Sequence, residues 1–199
     1  MSAREPVTAD DLEGAVSAVV SALQPAVDRD WSVLAGALEW GCRRTAEHLG
    51  DVLLSYAGQI AVQPQSRYVR FWASAEADAS PAEILEFAEA AGRILAAVIR
   101  CARPDARAFH PTGMADPEGF AAMGCVETLV HGYDIAGGLG ITLDPPRDLC
   151  RRVLQRLFPA TPIDADPWEI LLWATDRADL PGRARPGNTW RWHGAPLDM

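Results

Sequence analysis

Two segments of this chain mark helix starts so plainly that they constrain the whole fold. Ser80-Pro81-Ala82-Glu83 sets an N-cap serine, a proline at the first helical position and a capping-box glutamate in register. Ile84, Ala88, Ala91, Leu95 and Val98 follow at the 3.6-residue period of a one-sided helix, with Glu89 and Arg93 paired on its outer face. Asp116-Pro117 repeats the device and opens a helix that runs to about Gly137-Gly138. Thr8 with Asp11 opens another, whose stripe is Leu12, Val16, Val19, Leu23 and Val27. Leu49, Val52, Leu53, Tyr56 and Ile60 mark a helix from about Gly41 to Val62.

Shorter helices are expected over 147–158 and 167–175. Residues 63–79, 103–116 and 143–146 read as loops, the first with a short extended piece over 68–72. The tail, 179–199, is rich in Pro and Gly but carries Trp190 and Trp192. Those rings would cost free energy in water, so the tail is expected to pack on the body. There is no repeat, low-complexity segment or Gly-rich phosphate loop. Four long helices followed by short ones predict an all-α fold: a four-helix bundle over 1–145, with a helical extension and tail over 146–199.

Charge narrows the partners. The chain has 18 basic and 27 acidic residues, a net charge of -9, and every basic residue is arginine. That balance argues against a nucleic-acid partner, whose phosphates need a basic face, and against an anionic membrane surface. No apolar run is long enough to span a bilayer, and MSAREPVTADD lacks the apolar core of a signal peptide. The expectation is a cytoplasmic protein, monomer or homodimer, that acts on a small molecule. Cys42, Cys101, Cys125 and Cys150 form no CxxC pair and read as buried free thiols.

The helix after Asp116 carries an anomaly. Phe120, Met123, Glu127, Val130, His131 and Asp134 share one stripe, and three of the six are ionisable on a face that should be core. A buried carboxylate costs several kcal/mol unless it is paired, protonated or metal-bound. Glu127 and His131, four apart, reach one point beside the helix. Of the other histidines, His110 lies in a loop, His193 in the tail, and His48 inside the second long helix. His48, Glu127 and His131 therefore make a candidate His₂Glu set for a divalent ion, zinc first, nickel or iron as alternatives. A histidine satisfied by a core carboxylate is the competing reading. Glu47-His48 does not continue as HExxH, so a zincin protease is not supported.

Here the chain resembles a family. The segment from Gly36 through Trp40 and Thr45 to Leu49, and the block Glu127-Thr128-Leu129-Val130-His131-Gly132-Tyr133-Asp134-Ile135-Ala136, look like the metal-binding N-terminal domain of mycothiol-dependent maleylpyruvate isomerase, a DinB-like helical bundle. The resemblance spans about 8–140. It implies a DinB-like four-helix bundle, to which the residue pattern adds short C-terminal helices and an extended tail. It also implies a divalent metal, usually zinc, held by His48, Glu127 and His131. The isomerase has a separate catalytic C-terminal domain where this chain has 146–199, so what carries over is the general chemistry rather than maleylpyruvate isomerisation itself.

That chemistry is a low-molecular-weight thiol, mycothiol or another, used in transfer or isomerisation of a small electrophile. A thiol with a pKa near 8.5 is mostly protonated at neutral pH, and coordination deprotonates it. The alternatives are a metal-dependent hydrolase and a non-enzymatic small-molecule or metal binder. Arg43, Arg44 and Arg70 are candidates to hold an acidic substrate or thiol conjugate, and Tyr56 to line the pocket. Asp134, one turn after His131, either orients a ligand or pairs with an arginine.

Overall fold

The computed structural model describes residues 4–197; residues 1–3 and 198–199, which the sequence reading assigns to the bundle segment and the tail, lie outside the described residues. Among the described residues there are six α-helices and no strand: α1 (Ala9–Leu23), α2 (Cys42–Val62), α3 (Pro81–Cys101), α4 (Pro117–Gly138), α5 (Arg147–Leu157) and α6 (Pro167–Ala174). The start signals act as written. Thr8 and Asp11 form a capping box on α1, and Ser80 and Glu83 form one on α3. The Asp116 carboxylate caps α4 by accepting from Gly119 N at 2.8 Å. Such caps are each worth about 1 kcal/mol.

The four long helices form the DinB-like bundle. Helices α1 and α2 each pack against both α3 and α4. Glycine notches bring α1 close: a methyl group at Gly92 of α3 would sit 2.7 Å from Val16, and one at Gly132 of α4 would sit 2.7 Å from Val19. Apart from Glu118, Glu127, His131 and Asp134, helix α4 is apolar or small nearly all round, the composition of a helix covered on most sides. Phe120, Met123, Leu129 and Ile135 are fully buried there. Helix α5 covers its outer side and α6 packs on α5.

Two sequence expectations need correction and a third gains detail. The first stripe does not stay α-helical to Val27. Pro25 lacks an N–H and its ring clashes with the preceding turn, so Gln24–Ala26 tightens into a 3-10 turn. The piece over 68–72 is not a strand. It is pinned instead by the buried amide of Gln59, which accepts from Val69 N at 2.8 Å and donates to the Phe109 carbonyl at 2.6 Å. Finally, Cys101 is exposed at the end of α3, while Cys42, Cys125 and Cys150 are buried free thiols.

The tail does pack. Arg156 of α5 is wholly buried and donates to Asp116 at 2.7 Å and to the carbonyls of His193 and Gly194. Trp190 and Trp192 meet at 5.5 Å between ring centroids, and Trp192 lies 5.8 Å from the His110 ring. No helix among the described residues is long and apolar enough to cross a membrane.

Candidate metal centre

Helices α2 and α4 bring His48, Glu127 and His131 to one point. One donor atom from each lies within 4.8 Å of the others, and all three side chains are half-buried. Each position follows from local sequence. His48 sits two turns into α2, whose start is fixed when Cys42 N donates to the Val33 carbonyl at 2.8 Å. Glu127 and His131 are one turn apart on α4. The His48 and His131 rings stand edge to face, 5.2 Å between centroids. His131 Nε2 lies 3.2 Å from Glu127 Oε2. That separation is close to the ~3.3 Å edge of a tetrahedron drawn with bonds of about 2.0 Å.

The surrounding contacts orient each ligand atom. Tyr56, buried on α2, donates its hydroxyl to Glu127 Oε1 at 3.0 Å and leaves Oε2 facing the centre. His131 Nδ1 lies 3.3 Å from Asp134 Oδ2, so Nδ1 faces the carboxylate and Nε2 faces Glu127 and His48. Asp134 is buried and also receives Arg177, whose Nη2 donates to Oδ2 at 3.1 Å and Nε to both oxygens at 3.3 Å. Trp40 packs edge-on to His48 at 5.2 Å, and the Arg44 guanidinium lies over the Trp40 ring at 4.4 Å.

Electrostatics couple the cluster. Burial disfavours a charged His131, but hydrogen bonds and charge from Asp134 and Glu127 more than offset it and raise its pKa to about 9. Burial would raise Glu127, yet His131, His48 and the Tyr56 hydroxyl together hold it below the usual carboxylate range. Burial pushes the His48 pKa below its usual range, against the opposing pull of the Glu127 charge. Burial, then the Glu127 charge, drives the Tyr56 phenol well above its usual range and keeps it a donor. Without metal, His131 is thus an imidazolium between two carboxylates. With a divalent ion in the same place, the positive charge of the proton is replaced by that of the metal.

Of the sequence-named arginines, Arg44 lies near enough for its charge to act on His48. Arg43 pairs with Glu47 at 3.1 Å and donates to the carbonyls of Glu76, Ala77 and Ala79, fastening the loop before α3. Arg44 is exposed over the Trp40 ring, and Arg70 is exposed on the 63–80 loop. Sequence reasoning missed Arg177. The one signal for it was Asp134 itself, a carboxylate on a core face that required a cation. His110 was set aside as a loop residue, yet it is buried beside Tyr56, 6.2 Å between ring centroids, and burial lowers its pKa to about 4.

Comparison with protein families matches residues 10–136 to the mycothiol maleylpyruvate isomerase N-terminal domain. No curated protein and no solved structure matches the chain. The matched range contains all of α2 and α3, the ligand positions and Asp134, and stops before α5.

Proposed function

The chain belongs to the mycothiol maleylpyruvate isomerase N-terminal domain family, and we propose that it is a cytoplasmic, metal-dependent enzyme that uses a low-molecular-weight thiol in transfer to, or isomerisation of, a small electrophile. The carrying observation is the convergence of His48, Glu127 and His131 within 4.8 Å across α2 and α4. Two neutral imidazoles and one carboxylate suit zinc, with nickel or iron as alternatives, and three protein donors leave a position open. A divalent ion held there supplies the Lewis acidity that deprotonates a thiol at neutral pH. The donor set carries one negative charge, so one further anion, such as a thiolate, would balance a dication.

The chain's own residues supply the rest. Tyr56 holds Glu127 so that Oε2 is presented and Oε1 is not. Asp134 takes the Nδ1–H of His131 and aims Nε2 at the centre. Trp40 packs edge-on against the His48 ring and holds its orientation. Arg44, exposed beside Trp40, is the arginine we assign to meet an acidic substrate, on its contact with the ring that packs on His48. The test is a thiol–electrophile assay on the purified protein with zinc, with chelator, and on His48→Ala. The expected result is turnover that needs the metal, the thiol and His48 together. Turnover by metal and water without thiol would favour a hydrolase, and metal retained with no turnover of any electrophile would favour a binding protein.

A further inference from the structure

We propose that Arg177 is a positioning residue for the metal centre, acting through Asp134 on His131, so that the segment after α5 completes a site whose ligands all lie in the bundle. The inference rests on the metal reading above and extends it to a residue outside the matched family range of 10–136.

The geometry is a chain of three groups. The Arg177 guanidinium grips both oxygens of Asp134 at 3.1–3.3 Å. Asp134 Oδ2 in turn lies 3.3 Å from His131 Nδ1. Asp134 is nearly sealed from solvent and Arg177 largely so, with side-chain exposures of 4% and 16%. A carboxylate that buried would swing or protonate without a cation. Arg177 fixes its plane, and the plane fixes the imidazole.

Local backbone chemistry places Arg177. Helix α6 ends in a Schellman motif: Arg177 N donates to the Leu172 carbonyl at 2.7 Å and Asp176 N to the Trp173 carbonyl at 2.9 Å. Asp176 takes the left-handed position at φ 61 that glycine usually fills. Its carboxylate compensates by accepting from Arg185 Nε at 2.9 Å and Gly187 N at 3.1 Å. The turn throws the Arg177 side chain back toward α4, where Nη1 is also fastened to the Thr175 carbonyl at 2.8 Å. Planar guanidinium, two-oxygen grip and a third anchor make arginine specific here, and lysine cannot reproduce the fork.

The test is zinc and cobalt affinity, by chelator competition, for the wild type, Arg177→Met, Arg177→Lys, Asp134→Asn and the Asp134→Asn/Arg177→Met double variant. Circular dichroism and melting of the metal-free forms are recorded on the same samples. Arg177→Met is expected to weaken metal binding about 10–100-fold and to change the visible spectrum of the cobalt-loaded protein. Arg177→Lys should recover part of the affinity, and the double variant should be no weaker than Asp134→Asn alone. Losses that simply add in the double variant, or an Arg177→Met protein with wild-type affinity and spectrum, would overturn the assignment. A wild type that takes up neither ion would overturn the metal reading itself, and the inference with it.

Discussion

The two oxygens of Glu127 have different partners, and that difference is what a substitution can probe. Oε1 accepts from Tyr56 and Oε2 faces His131. Glutamine can keep the Tyr56 bond through its own oxygen, and in a metal-free core pair its amide could still meet His131. In Glu127→Gln we therefore expect unchanged helicity but a loss of zinc affinity larger than the roughly 10–100-fold that removal of a supporting hydrogen bond costs. Chelator competition checks it, and wild-type affinity would leave Glu127 as a core partner only. His131 gives the pH dependence. Its pKa rises on folding from the ordinary imidazole value of 6.5 to about 9. The imidazolium therefore adds stability to the metal-free protein that is fully present below pH 6.5 and lost as pH rises through about 9. Metal uptake runs the other way. The ion must displace the proton, so zinc affinity should climb by up to about tenfold per pH unit toward pH 9 and then level off. Melting of the metal-free protein and zinc titration across that window measure the two trends. His48, Glu127 and His131 were legible because helical spacing puts ionisable groups on a core stripe. Arg177 was not, because its partner is 43 positions away and no local pattern selects one arginine among many.

At the scale of elements, helix starts were readable and ends less so. A start is written in side chains that satisfy free N–H groups, as Thr8, Ser80 and Asp116 do. An end depends on where the chain turns next. The stripe through Val27 keeps its period across the 3-10 turn at Gln24–Ala26, so periodicity alone ran past the last α-helical residue. The apparent extended piece at 68–72 satisfies its backbone through Gln59, a partner that period-two reasoning does not see. The α6 end is the most consequential, since it aims Arg177. Replacing Asp176 with alanine puts a Cβ residue without a local partner at φ 61 and removes the carboxylate's bonds to Arg185 Nε and Gly187 N. The expected cost is about 1–2 kcal/mol, read as a lower melting temperature. Asp176→Gly should recover the backbone part of that loss.

At the scale of the molecule, α4 is the element everything else covers. Its ligand face meets α2, another side meets α1, its outer side meets α5, and its N-terminus is tied to the tail through Arg156 and Asp116. Arg156→Met should destabilise by about 1–3 kcal/mol, because it removes a wholly buried cation's bonds to the partly exposed Asp116 carboxylate and to two tail carbonyls. Chemical denaturation measures it, and a loss under about 1 kcal/mol would show that water serves these groups instead. The family resemblance was legible in the Trp40-to-Leu49 and Glu127-to-Ala136 segments, and the matched range agrees with it. The packing of α5, α6 and the tail against α4 carried no such signature beyond the two tryptophans. The proposed metal site is one made by His48, Glu127 and His131 together. Its most direct test is elemental analysis of the purified chain after equilibration with zinc and removal of free ion, for the wild type, His48→Ala and His131→Ala, with helicity recorded on each. About one ion per chain in the wild type and little in either folded variant is the predicted result. A wild type that retains no zinc, nickel or iron, or a His131→Ala protein that retains its full complement, would contradict it.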